Sequence, residues 1–139
     1  MALYSFLGAE NMPPRSIRSM LGAMASLGFV FALQSPAAAD GYNYSVGGGA
    51  EAVFHSYGEH FYVYDLTADG HAGVGIVEYM GDTNWIVLDV VWARGGSGTY
   101  QEKNYTLPEG LRVRYHACIG DYNTGSVWAC NPTWTEDRA

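Results

Sequence analysis

From residue 42 to residue 133 the chain runs in short stretches where apolar and polar side chains alternate, broken by glycine-rich clusters. A period of two sends successive side chains to opposite faces of an extended strand. Stretches of this kind cover residues 42–46, 51–57, 60–66, 72–79, 85–93, 99–107, 111–119 and 126–133. Between them lie turn formers: Gly47-Gly48-Gly49, Gly58, Thr67-Ala68-Asp69-Gly70, Gly81-Asp82-Thr83-Asn84, Gly95-Gly96-Ser97-Gly98 and Pro108-Glu109-Gly110. Strands spaced by about 8–12 residues with turns between them predict an all-β fold, a small antiparallel β-sandwich or barrel of about seven or eight strands. No long window keeps a 3.6-residue apolar period, so no helix is expected in this region. Within 111–119, Leu111, Val113, Tyr115, Ala117 and Ile119 share the core face. Arg112, Arg114, His116 and Cys118 take the wetter one. The stretch 85–93 is apolar on both faces and reads as a central strand.

The first 39 residues follow another logic. Arg15 and Arg18 precede the uncharged apolar run 20–33, and Ala37 and Ala39 then stand before Asp40. A basic segment, a short apolar segment and small residues at a junction predict a cleaved secretory signal over 1–39. The apolar run is shorter than the roughly 20 residues that span a bilayer. The remaining 40–139 then form a single secreted β domain with no membrane attachment. In an oxidising compartment Cys118 and Cys130 are expected to pair. A hairpin centred on Thr124 places them opposite each other on the wetter face, near Trp128. Closing that loop is worth about 3 kcal/mol in the chain-entropy model. A redox or metal role for the pair, helped by nearby His116, is the weaker reading.

Charge narrows the function. The 139-residue chain has 14 acidic and 7 basic side chains, a net charge of −7. A nucleic-acid binder needs clustered Lys and Arg to displace counterions from phosphates, and this chain has one lysine, Lys103. Adsorption to anionic lipid fails for the same reason. His55, His60, His71 and His116 show no metal-ligand spacing, and Asp69-Gly70 reads as a hairpin turn rather than a calcium loop. Neither a nucleophile elbow nor a phosphate loop is present, so no cofactor or metal is expected. What stands out is the aromatic load, with 11 Tyr and 4 Trp. In 60–66, rings fall on both faces of one strand: His60, Tyr62 and Tyr64 against Phe61. Exposed Tyr and Trp make contact patches at low entropic cost. The candidate binding aromatics are Tyr62, Tyr64, Tyr100, Trp128 and Trp134. The expectation is an extracellular module that binds a protein or a carbohydrate, protease inhibition included. The alternative is a small secreted hydrolase using a carboxylate pair from Glu51, Glu59, Glu78, Asp89 and Glu102.

The segment 58–71, Gly58-Glu-His-Phe-Tyr-Val-Tyr-Asp-Leu-Thr-Ala-Asp-Gly-His71, resembles a recurrent segment of small exported β-rich proteins of Streptomyces-type actinobacteria. Gly95-Gly-Ser-Gly98, Asn104-Tyr105, Glu109-Gly110 and Val113-Arg-Tyr-His-Ala-Cys118 followed by Cys130 are similar to theirs in order and spacing. The resemblance implies fold and export and no particular chemistry. Members often carry a further cysteine pair where this chain has Tyr64 and Tyr100. It therefore implies that these two tyrosines are neighbours, with rings in contact in place of a bridge. N-terminal sequencing of the exported protein is expected to begin at Asp40; any other first residue overturns the assigned junction.

Overall fold

The computed structural model describes residues 40–139, so the expected signal segment lies outside the described residues. Nine strands follow one another: β1 (Gly41–Tyr44), β2 (Ala50–His55), β3 (His60–Asp65), β4 (Ala72–Met80), β5 (Trp85–Ala93), β6 (Tyr100–Asn104), β7 (Arg112–Asp121), β8 (Ser126–Trp128) and β9 (Thr135–Arg138). One antiparallel sheet has the order β1-β2-β3-β6. The other has the order β5-β4-β7-β8, with β9 also paired to β7. The fold is a small β-sandwich, not a closed barrel, and no helix occurs among the described residues.

Alternation builds the core. Ala52, Phe54, Phe61 and Val63 of the first sheet meet Val77, Val91, Val113 and Tyr115 of the second. Gly73 and Gly75 of β4 let the sheets approach closely. A Cβ at Gly73 would sit 2.5 Å from the Tyr64 carbonyl oxygen, and one at Gly75 would collide with Val63 and Phe61.

Five details differ from the sequence reading. The strands number nine because residues 135–138 add β9, whose polar sequence Thr-Glu-Asp-Arg carries no apolar alternation. The strand 85–93 is an edge, not a centre. It is apolar on both sides because Ile86, Val87 and Val90 stay exposed. Asp69-Gly70 forms its turn, with the His71 N–H donating to Asp69 Oδ1, yet it carries the chain from one sheet to the other instead of closing a hairpin. The β7–β8 pairing Ile119↔Trp128 lies one residue off the Thr124-centred register. Cys130 still reaches Cys118, because Ala129 takes a left-handed φ of 51° and turns the chain after β8. The disulfide is present. Cys118 lies on the face away from the core but is fully covered, so that face is not wet at this point.

The two sheets are tied along one seam. β9 pairs with β7 up to Tyr115 and β8 begins at Ile119, so Ala117, paired with Gly75 of β4 on one side, has no strand beside it on the other. Two asparagines fill the break. Ala117 N–H donates to Asn43 Oδ1 (2.8 Å), and Asn131 N–H donates to the Ala117 carbonyl (3.0 Å). Asn43 Nδ2 donates in turn to the Thr133 carbonyl (2.9 Å) and Thr135 Oγ1 (3.1 Å). The Tyr115 hydroxyl adds a bond to the Gly41 carbonyl (2.6 Å). Asn43 is 3% exposed, so its removal strands buried donors and acceptors away from water. Asn43→Ala is expected to lower the unfolding free energy by at least about 2 kcal/mol, read from urea denaturation; a loss near zero would refute the seam.

Candidate functional site

The outer face of the four-stranded sheet gathers the tyrosines. Because β3 alternates, Phe61, Val63 and Asp65 are buried, and His60, Tyr62 and Tyr64 point away from the core. Pairing then brings Tyr100 opposite Tyr64 and Glu102 opposite Tyr62 on the β6 side. On the β2 side, Glu51 stands opposite Tyr64 and Val53 opposite Tyr62. One strand further out, Tyr44 pairs with Glu51 and Tyr42 with Val53. Five tyrosines thus share one sheet face. Tyr42, Tyr44 and Tyr100 are 60%, 48% and 57% exposed.

Tyr62 is the hub. Its ring lies 5.9 Å from that of Tyr100, 6.4 Å from Tyr64 and 6.1 Å from His60, with His55 edge-on at 5.3 Å. Tyr64 and Tyr100 are in ring contact at 5.3 Å. Glu102 Oε1 accepts from the Tyr62 hydroxyl (3.1 Å) and pairs with His60 Nδ1 (2.5 Å). Asn104 Nδ2 lies 3.2 Å from His60 Nε2. Desolvation among the packed rings, and after it the neighbouring carboxylates, raises the Tyr62 and Tyr64 phenols above their ordinary range. A hydrogen bond to Glu51 raises Tyr44 in the same direction. The phenols therefore stay neutral at physiological pH, and the negative charge of the face belongs to its carboxylates.

The other two candidate aromatics lie elsewhere. Trp128 is edge-on to His71 at 4.9 Å. Trp134 belongs to a ladder on the outer face of the other sheet. It stacks on His116 at 3.7 Å, and the Arg114 guanidinium lies 4.4 Å from the Trp134 ring and 4.5 Å from that of Trp85. Glu78 holds this guanidinium at 2.6 Å. Of the five residues named from sequence, Tyr62, Tyr64 and Tyr100 form one patch; Trp128 and Trp134 are not part of it. Sequence reasoning missed Tyr42, Tyr44, Glu51, Glu102 and His60 as members. The Tyr-Asn-Tyr alternation at 42–44 could have flagged the first two, but strand neighbours are set by the pairing register, which alternation alone does not show.

The chemistry available elsewhere is limited. Among the described residues, His116, Cys118 and Cys130 are the group whose ligand atoms come within 4.8 Å of one another. Both sulfurs are spent in the disulfide. Of the carboxylates named for hydrolysis, Glu51 and Glu102 stand on the open tyrosine face, Glu78 is ion-paired, and Asp89 accepts from the Tyr105 hydroxyl (3.1 Å). A cavity of about 650 Å³ opens at one end of the sandwich, where Asp65, His71, Arg94 and Asp121 meet the 95–97 loop. Asp65 is 2% exposed, and burial raises its carboxyl above the usual range.

Burial under Trp134 lowers the His116 imidazole, which keeps it neutral and bonded through Nδ1 to the Asn131 carbonyl (3.0 Å). An unfolded histidine takes its proton near pH 6.5. The folded one takes it lower, so the unfolded state binds more protons through that window and is favoured as pH falls. The contribution is present above pH 6.5 and lost on acidification. His116→Gln is expected to lose less stability than the parent between pH 7 and pH 5 in urea denaturation; equal losses would remove His116 from the acid response.

No protein family matches this chain, and no curated protein or solved structure is similar to it.

Proposed function

We propose that this protein is an exported binding module that recognises an extracellular partner with the outer face of its four-stranded sheet. One observation carries the reading: Tyr42, Tyr44, Tyr62, Tyr64 and Tyr100 share a single sheet face, three of them about half exposed or more. A sheet needs its rings on the core side, and here Phe54, Phe61 and Tyr115 already fill that role. Rings held on the solvent side leave apolar area in water, which is the signature of a surface that something else covers. Their mutual packing suits recognition, since a ring already fixed by its neighbours loses little freedom on binding. A protein or carbohydrate surface fits this chemistry, and small-molecule turnover does not need it. The disulfide and the signal-like segment 1–39 support export, and the resemblance to small exported actinobacterial proteins agrees.

Purified protein incubated with spent culture medium and with cell-wall polysaccharide is expected to retain its partner through this face. Tyr42→Ser and Tyr100→Ser touch two of the most exposed rings and leave the core in place. Truncating a central aromatic anchor costs about 2 kcal/mol of binding, roughly thirtyfold. Retention should fall to that degree while the thermal unfolding midpoint stays within a few degrees. Unchanged retention by the double variant would rule this face out as the binding surface.

A further inference from the structure

Resting on the reading of the tyrosine face as the binding surface, its chemistry names the kind of partner. No lysine or arginine among the described residues stands on that face. Asp40, Glu51 and Glu102 contribute its carboxylates, with His55 against Asp40 (2.9 Å) and His60 against Glu102. Arg94 lies over the Tyr122 ring at 3.6 Å, Arg112 and Arg114 are paired with Glu136 and Glu78, and Arg138 bonds the Gly110 carbonyl. Lys103 sits opposite inward-facing Phe61, so alternation sends it away from the tyrosines. Glu51 and Glu102 stand one on each side of the β3 tyrosine row.

The opposite sheet shows what such a set accepts. There the Arg114 guanidinium lies between the rings of Trp85 and Trp134, within 4.5 Å of both, and is held by Glu78. Aromatic faces carry negative π-density that attracts a cation, and a carboxylate alongside offsets its lost hydration. The tyrosine face repeats the rings and the carboxylates but supplies no guanidinium of its own. On Glu102 both internal bonds fall on Oε1, which leaves Oε2 to an incoming donor. A planar guanidinium stacks on rings and forks onto carboxylates better than an ammonium does. Acidic polysaccharides would meet like charge.

We propose that this face docks an arginine-bearing segment of a partner protein, with guanidinium groups seated on the tyrosine rings between Glu51 and Glu102. The test uses a capped peptide of four Arg-Gly repeats, measured by calorimetry against the full protein. Its neutral twin carries citrulline in place of arginine, and a neutral chitin hexamer and its deacetylated, cationic form serve as sugar probes. The arginine peptide is expected to bind at least tenfold more tightly than the citrulline peptide. Glu51→Gln with Glu102→Gln should weaken it at least tenfold. Asp82→Asn with Glu109→Gln, which removes the same charge from turns off this face, should change it less than twofold. Tyr42→Ser with Tyr100→Ser should weaken it about tenfold.

Equal binding of the two peptides, or no binding of the arginine peptide at millimolar concentration, overturns the proposal. A sugar probe bound more tightly than the arginine peptide, and lost in the tyrosine variant, overturns it too but leaves the face as the binding surface. If the tyrosine variant binds the peptide as well as the parent does, the attraction belongs to the overall charge, and both the proposal and the reading beneath it fall.

Discussion

Ala117 lies on a strand whose two neighbours along one edge, β8 and β9, stop short of it, and the amide group there is the point on which the sandwich turns. β9 covers one half of β7 and β8 the other, leaving between them a buried N–H and C=O without a ladder partner. Such groups cannot be left unpaired away from water. Asn43 from the opposite sheet and Asn131 from the chain after the disulfide take them up. Asn131 also reaches back to the Tyr44 carbonyl through its side chain (2.9 Å). The first strand of the tyrosine face is thereby fastened to the second sheet by polar bonds with fixed directions, where apolar packing alone would let it slide. Tyr42 and Tyr44 flank Asn43 and point the other way. Their position on the face follows from where Asn43 is held.

The outer surfaces of the two sheets use related parts differently. One arranges tryptophans, arginines, His116 and carboxylates so that each charge is met within the molecule. The other arranges tyrosines and carboxylates with no strong cation among them. Paired guanidinium groups on one side, and none among the described residues on the other, make a difference of electrostatics on a shared backbone design. Gly73 and Gly75 bring the two layers close, so both surfaces rest on a thin, well-filled core.

Much of the fold was legible in the chain because strand alternation is a local property. The eight apolar stretches all correspond to strands, the glycine clusters all fall between them, and Cys118 and Cys130 are joined. What escaped depends on partners distant in sequence. β9 has no apolar alternation, since it sits at an edge where Arg112 and Glu136 pair in water. The stretch 85–93 looked central because its outer side is apolar, yet an edge strand with exposed Val87 carries the same pattern. The one-residue offset of the β7–β8 hairpin is reconciled with the disulfide by the left-handed Ala129, a conformation that an alanine gives no reason to expect. For the candidate site, Tyr62 and Tyr64 were recognisable from the double-sided rings of 60–66. The neighbourhood of Tyr64 and Tyr100, suggested by a family resemblance, is a direct register pair. Tyr42 and Tyr44 joined the patch only through the β1–β2 pairing, and Trp128, at the end of β8, and Trp134, just before β9, left it because those strands belong to the other sheet.

The asparagine seam also sets the order in which this chain can become a protein. Its bonds join residues 74 and 90 positions apart, and the β1–β2–β3 meander holds no substitute for them. Closing contacts of such long sequence separation must be preceded by much of the loss of chain freedom, which slows folding. The early hairpins can form and dissolve while the distant segments around Ala117, Thr133 and Thr135 are still missing. A nascent chain therefore stays loose until its last strands arrive.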